Sequence, residues 1–167
     1  MFEALMADVD LAPLSFLIVD DNHHMITILR EVLRGFGAEH IHEARDAADA
    51  FEIFSSVPVD IAIVDYLMEP LDGLDFTRLI RNAADSINVE LPIILLTAYT
   101  ERHRVKEARD AGATDVVRKP VAAKMLYQRI QTILKSKRAF ITDKRYVGPD
   151  RRRKNDPAYF GPERRKG

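Results

Sequence analysis

The 167-residue chain contains no cysteine. This absence excludes disulfides, zinc sites built on thiolates and catalysis by a thiol, and it suits the reducing cytosol. No uninterrupted apolar run approaches the ~18 residues of a membrane span, so we expect no membrane-spanning helix. The first ten residues, MFEALMADVD, include three acidic residues and no basic one, a pattern unlike that of a secretory signal. We therefore expect a cytoplasmic protein.

Charge is distributed unevenly along the chain. Hydrophobic residues make up 47% of the sequence, enough for the core of one ordinary domain, so global disorder is excluded. The net charge is −1, but residues 138–167 contain ten of the 25 basic and four of the 26 acidic residues. This segment therefore has a balance of +6 and the remainder −7. An acidic body with a basic tail indicates an anionic partner for the tail, although a merely solubilising tail remains open.

Short apolar runs rich in β-branched residues recur along the body of the chain. Runs of this length predict strands covered on both faces, as in a parallel sheet. A weaker alternating segment, AEHIHEA, predicts a fifth strand at 38–44. The four stronger runs are FLIVD at 16–20, IAIVD at 61–65, IILLT at 93–97 and DVV at 115–117.

Amphipathic patterns lie between the predicted strands. They predict helices at 25–36, 46–54, 74–83, 101–112 and 122–136. Five strand–helix units predict an α/β fold with a doubly wound parallel sheet and ligands at the carboxyl ends of the strands. His40 and His42 lie two apart on the weak strand, but without a third ligand we interpret them as structural.

Polar residues end four of the predicted strands. Each has an ordinary structural interpretation, such as a helix cap, a turn residue or a solvated charge. Together they place three carboxylates, a hydroxyl and an ammonium group at one rim of one sheet. These residues are Asp20, Asp21, Asp65, Thr97 and Lys119.

This combination suits phosphoryl transfer to a carboxylate. Clustered carboxylates repel one another unless a divalent cation joins them, and hard oxygen ligands favour Mg²⁺. The metal and a lysine would neutralise charge on the incoming phosphoryl oxygens while a hydroxyl donates to a third. Nothing in the sequence supports turnover of a separate substrate, so we do not expect an enzyme.

Residues 14–136 resemble a response-regulator receiver domain of the CheY type. The matching motifs are IVDD at 18–21, DYLMEPLDG at 65–73, LLTA at 95–98 and RKP at 118–120. The resemblance implies a flavodoxin-like fold and phosphorylation by a sensor histidine kinase or a phosphotransfer protein. It also implies a peptide bond before Pro120 that can be cis. The resemblance implies that Asp65 is the phospho-acceptor and that Thr97 and Lys119 contact the phosphoryl group. The implied Mg²⁺ ligands are Asp20, Asp21, Asp65 and the carbonyl of Leu67.

Three features depart from the usual receiver pattern. Receivers generally have proline directly after the methionine of the acceptor loop, whereas Glu69 intervenes here before Pro70. Leu67 and Tyr99 occupy positions at which the side chains of other receivers often orient the hydrolytic water. A leucine side chain cannot do so, and we therefore expect slow loss of phosphate. Val116 stands where receivers usually place the aromatic residue that swings inward on phosphorylation. Either the output face responds differently, or phosphorylation is not the main input.

The helical pattern stops after Ser136. We divide the chain into an N-terminal extension at 1–13, a receiver domain at 14–136 and an arginine-rich flexible tail at 137–167. The tail has little to bury, so we expect it to be disordered in the free protein, and no folded DNA-binding domain is predicted after the receiver. Its sequence repeats: GPDRRR at 148–153 returns as GPERRK at 161–166.

Arginine dominates the basic residues of the tail, with seven Arg and three Lys in 138–167. A guanidinium group pairs bidentately with phosphate, contacts the O6/N7 edge of guanine and stacks on flat rings, whereas an ammonium is a point charge. Asp150, Asp156 and Glu163 interrupt the arginines, and a carboxylate can accept from guanine N1–H and N2–H₂. This pattern favours guanine recognition over simple charge attraction.

The tail also resembles the arginine-rich C-terminal extension of the Cle group of CheY-like proteins. The resemblance implies a tail that wraps around cyclic di-GMP and a receiver that engages the flagellar motor switch. On this basis the repeat forms two clamps on a symmetric, guanine-bearing ligand. The candidate ligand-binding residues are Arg145, Asp150, Arg151, Arg152, Asp156, Tyr159, Arg164 and Arg165.

Three functions remain open from the sequence. The favoured one is a cyclic di-GMP-responsive CheY-like adaptor with a phosphorylatable receiver. The second is an ordinary stand-alone phospho-receiver of a phosphorelay, whose basic tail is incidental. The third is a binder of nucleic acid or anionic membrane that uses the tail as a polycation, which the low lysine content and the interspersed acids disfavour.

Overall fold

The computed structural model describes residues 7–99, 101–136 and 139–151. Its central sheet contains five parallel strands in the order β2-β1-β3-β4-β5. Because all strands run the same way, their carboxyl ends share one rim. The strands are β1 (Ser15–Val19), β2 (His40–Ala44), β3 (Ile61–Asp65), β4 (Ile93–Thr97) and β5 (Asp115–Arg118).

Helices cover both faces of this sheet, which confirms the predicted doubly wound fold. Apolar residues of α1 and α5 pack on one face, and those of α2, α3 and α4 pack on the other. None of the helices in the described part of the chain combines the length and the hydropathy that a membrane span requires. The helices are α1 (His23–Gly35), α2 (Ala47–Ser56), α3 (Gly73–Asn82), α4 (Arg102–Ala111) and α5 (Ala123–Lys135).

Side-chain caps start three of the helices directly after the strand–helix loops. Asn22 accepts hydrogen bonds from the backbone of the first turn of α1, and Asp46 does so for α2. Asp72 forms a capping box with Asp75 at the start of α3. These caps satisfy backbone donors that an α-helix leaves unpaired, so they fix where each helix begins.

The N-terminal extension packs against α5. The backbone of Val9 exchanges hydrogen bonds with the side-chain amide of Gln131, at 2.7 and 2.9 Å. Tyr127 Oη and Lys135 Nζ both contact the Asp8 carboxylate, and Leu11 is buried in the α1–α5 core. Residues 8–11 therefore belong structurally to the receiver body.

The structure corrects the expectation of disorder for part of the tail. Residues 139–151 are described, and they contain a two-stranded antiparallel hairpin of β6 (Phe140–Thr142) and β7 (Val147–Pro149). The prediction of a flexible tail is wrong for this segment, because the Phe140 ring contacts Arg81 and the β7 backbone lies against Gly112 of the receiver. Residues 152–167 lie outside the described residues.

The hairpin docks where α3 and α4 end. The Arg81 guanidinium lies 5.2 Å from the centre of the Phe140 ring, and its Nε donates to the Gly112 carbonyl at 3.0 Å. The backbone of β7 lies so close to Gly112 that an added Cβ would be 2.5 Å from the Val147 carbonyl oxygen. Gly148 faces it, with its own Cβ position only 2.9 Å from Gly112 Cα. Two glycines thus allow backbone-to-backbone contact.

Replacing Gly112 with alanine should undock this hairpin as well as strain the helix end. Gly112 has φ +101°, a left-handed conformation that costs other residues about 1–2 kcal/mol. Gly37 has φ +94°, but no described residue lies within 4 Å of its Cβ position, so Gly37→Ala is a matched control. In urea unfolding, the free energy of unfolding should fall by at least about 1 kcal/mol more in Gly112→Ala than in Gly37→Ala. Equal losses of unfolding free energy would show that the hairpin does not lie close enough to Gly112 to exclude a Cβ atom.

Candidate functional site

The carboxyl ends of the central strands bring the predicted acidic residues together. Asp20 directly follows β1 and is fully buried, while Asp65 is the last residue of β3 and is 8% exposed. One carboxylate oxygen from each of Asp20, Asp21 and Asp65 lies within 4.8 Å of the others. Among the described residues this is the one such group of possible metal ligands, and His40 and His42 are not part of it.

A lysine after β5 completes this cluster. Lys119 Nζ lies 2.7 Å from Asp65 Oδ1 and 3.7 Å from Asp20 Oδ2. The backbone N–H of Lys119 donates to the Thr97 carbonyl at 2.7 Å, which fixes the lysine to the end of β4. The Lys119–Pro120 bond is cis, as the receiver resemblance allowed. The ammonium group is therefore placed to neutralise charge on a group attached to Asp65.

The electrostatics of Asp20 fit a hard divalent cation. Burial raises the pKa of Asp20 to about 6, against the effect of the Asn22 N–H that donates to Oδ1, and the charge of Asp65 raises it further. Asp20 Oδ2 is buried and accepts no hydrogen bond from any described residue. A buried carboxylate oxygen without a donor is costly, and a cation shared with Asp21 and Asp65 would relieve that cost. The residues present therefore fit Mg²⁺.

We expect Asp20→Asn to stabilise the protein in metal-free buffer. The folded-state pKa of about 6 lies above the usual 3.8, so stability from protonated Asp20 is present below about pH 4 and lost as the pH rises to about 6. Thermal unfolding across this range should show a decline for the parent that Asp20→Asn lacks. Adding Mg²⁺ at pH 7 should stabilise the parent but not Asp20→Asn. Exposed Asp85→Asn is the control, and a parent-like pH profile for Asp20→Asn would contradict this electrostatic interpretation.

The Thr97 hydroxyl is engaged with its own loop. Thr97 Oγ1 accepts from the Tyr99 N–H at 3.0 Å and donates to the Tyr99 carbonyl at 3.3 Å. The Arg104 guanidinium lies 4.4 Å from the centre of the Tyr99 ring and 5.9 Å from that of Tyr66. Tyr66 directly follows Asp65, and its hydroxyl donates to Glu107 on α4 at 3.0 Å. The rim is thereby connected to α4 through Tyr66 and Tyr99.

The sequence profile of the response regulator receiver domain matches residues 16–131. The chain belongs to that family. The curated relatives include the chemotaxis protein CheY of Pseudomonas aeruginosa, 33% identical over 120 residues that cover 72% of this chain and 95% of the relative. Chemotaxis protein CheY-3 of Vibrio cholerae is 31% identical over 120 residues, covering 72% of this chain and 91% of that protein. The chain is therefore a CheY-like receiver with additional residues outside the shared region.

Solved structures agree with this assignment. A putative response regulator from Chloroflexus aurantiacus superposes with a TM-score of 0.67 at 30% identity, covering 73% of this chain and 98% of the other. CheY4 of Vibrio cholerae superposes with a TM-score of 0.66 at 24% identity, covering 72% of this chain and 98% of that one. At that identity the second comparison supports the fold alone.

The departures noted in the sequence lie around the acceptor site of this receiver. Leu67, two residues after Asp65, and Tyr99, two residues after Thr97, have exposures of 48% and 38%. Val116 lies on β5, is paired with Leu95, and packs against the α2–α3–α4 core. The Glu69–Pro70 bond is cis. The carbonyl of Leu67 stays a predicted metal ligand.

The structure places three of the candidate tail residues. Arg145 lies in the turn of the hairpin, and Asp150 follows β7, with its N–H donating to the Ala139 carbonyl. Arg151 forms an ion pair with Asp110 of α4, and its guanidinium carbon lies 3.9 Å from the centre of the Tyr146 ring. The other candidates lie outside the described residues: Arg152, Asp156, Tyr159, Arg164 and Arg165.

Sequence reasoning missed the receiver residues that hold the hairpin. Arg81 is 2% exposed, and burial lowers its pKa to about 10. It donates to the carbonyls of Gly112 and Val89, while its second terminal nitrogen has no hydrogen-bond partner among the described residues. Asp110, the partner of Arg151, resembled an ordinary exposed helix residue. Only the polar character of Arg81 on an otherwise apolar helix stripe could have identified it.

Proposed function

We propose that this receiver is a cyclic di-GMP-responsive signalling adaptor that acts on the flagellar motor switch. The observation that supports it most strongly is the stack of Arg151 on Tyr146, because Arg151 belongs to the first Gly-Pro-acid-Arg-Arg unit. A guanidinium held flat on an aromatic ring offers a guanine both a stacking surface and edge donors. The relatives named as chemotaxis proteins support a role in controlling motility.

Phosphorylation is the second input that we propose. Asp65 accepts a phosphoryl group from a sensor histidine kinase or a phosphotransfer protein, with Mg²⁺ held by Asp20, Asp21, Asp65 and the carbonyl of Leu67. Lys119 then pairs with the new phosphoryl oxygens, for which its 2.7 Å contact with Asp65 is suited. The Thr97 hydroxyl donates to another oxygen once it leaves the Tyr99 carbonyl.

Val116 favours an input other than phosphorylation. A valine on β5 has no ring to swing inward when Asp65 is phosphorylated, so the aromatic switch of other receivers is missing here. The tail provides a separate sensor, and its described part, residues 139–151 with the hairpin, contacts α3 and α4. In the alternative function, an ordinary phospho-receiver, Arg151 and Tyr146 would have no ligand.

Isothermal titration of the full chain with cyclic di-GMP tests the proposal directly. We expect saturable binding of cyclic di-GMP and no comparable binding of GTP, which has the same base and more negative charge. Equal binding of both nucleotides, or binding of neither, would contradict a cyclic di-GMP sensor. Addition of acetyl phosphate and Mg²⁺ in a parallel titration measures whether the two inputs are coupled.

The phosphorylated form should persist. The Leu67 side chain is exposed two residues after Asp65, and it has no group that can hydrogen-bond the water that attacks the acyl phosphate. We expect Leu67→Asn to lose phosphate about tenfold faster or more, because the amide can hydrogen-bond and orient the attacking water, and tenfold corresponds to about 1.4 kcal/mol, the size of one hydrogen bond. Dephosphorylation is followed by intact-protein mass spectrometry, with Leu67→Met as the apolar control. If the Asn and Met variants lose phosphate equally slowly, position 67 does not set the lifetime.

A further inference from the structure

One side of α4 contacts two tyrosines that lie in the loops after β3 and β4. Arg104 and Glu107 are three residues apart, so they project from the same side of the helix, on which Ala108 is buried in the core. Glu107 accepts a hydrogen bond from the Tyr66 hydroxyl at 3.0 Å. The Arg104 guanidinium lies over the Tyr99 ring, 4.4 Å from its centre.

We propose that Arg104 is a positioning residue for the phosphorylation of Asp65. It holds Tyr99 in the arrangement that keeps the Thr97 hydroxyl away from the phosphoryl group. This inference rests on the proposed phosphorylation and adds to it a residue that the receiver motifs do not include. Arg104 acts through Tyr99 and Thr97 and not on the reacting atoms.

The Thr97 hydroxyl cannot serve Tyr99 and the phosphoryl group at once. Thr97 Oγ1 donates to the Tyr99 carbonyl at 3.3 Å and accepts from the Tyr99 N–H at 3.0 Å. A hydroxyl has one proton to donate, so a hydrogen bond to a phosphoryl oxygen requires that the bond to the Tyr99 carbonyl be broken. Any contact that stabilises Tyr99 in its present arrangement therefore opposes this exchange.

Arg104 provides such a contact. Its guanidinium carbon lies 4.4 Å from the centre of the Tyr99 ring and 5.9 Å from that of Tyr66. Its Nε lies 3.4 Å from the carboxylate of Glu101, and its side chain is only 34% exposed. A partly buried guanidinium on the face of an aromatic ring is stabilising, so Arg104 favours the arrangement in which Tyr99 occupies the Thr97 hydroxyl.

Tyr66 holds Arg104 from the opposite loop. Tyr66 is 3% exposed, and its backbone N–H donates to the Leu96 carbonyl of β4 at 2.8 Å. Because its hydroxyl also donates to Glu107, Tyr66 is attached to both β4 and α4. Tyr99 is 38% exposed, so it is the more exposed of the two rings that Arg104 contacts. A displacement at Thr97 therefore acts first on Tyr99.

These contacts also give the acceptor site a connection to α4 that does not need an aromatic residue on β5. Val116 packs against the same core as Tyr66, but it has no ring that could follow a movement of Thr97. When Thr97 turns to the phosphoryl group, Tyr99 loses its hydrogen bond to the hydroxyl and its contact with Arg104 weakens. Release of Arg104 is then the change that phosphorylation produces on α4.

The initial rate of phosphorylation by acetyl phosphate and Mg²⁺ tests this inference in the full chain. Arg104→Gln should raise the rate about two- to fivefold, the factor that corresponds to the loss of one cation–π contact at a partly exposed site. Arg34 on α1 is a matched control, because it is also a helix arginine with a glutamate three residues before it. Arg34→Gln should keep the parental rate, and intact-protein mass spectrometry measures all three proteins.

Tyr99→Leu is a second variant, which removes the ring but keeps the backbone carbonyl. It should raise the rate as Arg104→Gln does, and the double variant should be no faster than either single one, because all three lack the same contact. Thermal unfolding measures stability in parallel, and a general loss of stability would not accelerate the reaction. Rates of Arg104→Gln and Tyr99→Leu that do not exceed the rate of Arg34→Gln would contradict the proposal, as would additive increases in the double variant.

The side-chain resonances of the parent provide a readout that needs no variant. Beryllofluoride with Mg²⁺, a mimic of the phosphoryl group, should shift the Arg104 Nε–H resonance as the Tyr99 ring moves away, and leave that of Arg34 unchanged. If the Thr97 amide shifts while the Arg104 Nε–H does not, Arg104 does not position Thr97. If the parent neither takes up phosphate nor responds to beryllofluoride, the proposed phosphorylation itself is wrong.

Discussion

Asp65→Asn should abolish incorporation of phosphate into this receiver. Asparagine has the size of aspartate, but its amide nitrogen cannot form the acyl phosphate. Incubation with acetyl phosphate and Mg²⁺, followed by intact-protein mass spectrometry, should give one added phosphoryl group in the parent and none in Asp65→Asn. The lost charge also removes the partner of Lys119 at 2.7 Å, so stability is measured in parallel.

Two controls separate the chemistry of Asp65 from general effects of charge. Asp85→Asn removes an exposed carboxylate in the loop after α3 and should be phosphorylated like the parent. Lys119→Met keeps the acceptor but removes the ammonium group, and it should be phosphorylated far more slowly because the phosphoryl oxygens lose a counter-charge. Phosphate incorporation by Asp65→Asn at the parental level would place the acceptor elsewhere.

Arg151→Ala combined with Arg152→Ala should weaken cyclic di-GMP binding by about two orders of magnitude or more. Each bidentate contact of arginine with a guanine is worth ~1–3 kcal/mol, so losing two such contacts produces a decrease of this size. In the described part of the chain, Arg151 already lies on Tyr146 and beside Asp110, which limits the entropy lost when it binds. Arg152 lies outside the described residues.

Arg151 also contributes to hairpin docking, so the double variant requires a structural control. Asp110→Ala removes the same ion pair from the receiver side without changing the tail. If both changes released the hairpin equally, while only the arginine variant lost binding, direct contact with the ligand would be established. Equal loss of binding in both would instead indicate that docking is what the ligand requires.

Strands β1, β3 and β4 were predictable because they are short apolar runs that stay buried on both faces. The run IAIVD, for example, becomes β3 with all five residues buried. The grouping of polar residues at the rim was also predictable, since parallel strands place their carboxyl ends together. Asp20, Asp65 and Lys119 could therefore be grouped before any distance was known.

The hairpin could not be predicted by these rules. Its strands have three residues each, too short for a periodic pattern, and the segment lies among charged residues that are typical of disorder. Its stability comes from contacts with residues far away in sequence, above all Arg81 and Gly112. Gly112 has no local feature that predicts a partner, and the polar character of Arg81 does not indicate which segment it contacts, so the docking could not be derived from the local sequence.

The salt dependence of cyclic di-GMP binding by the parent and by the double variant Arg151→Lys, Arg152→Lys tests the central claim most directly. Lysine keeps the charge but loses the planar fork that reads guanine and stacks on Tyr146. The account predicts that the double-lysine variant binds far more weakly than the parent at each of two salt concentrations. If both proteins bind alike and lose affinity together as salt rises, the tail is a polycation and the specific site is contradicted.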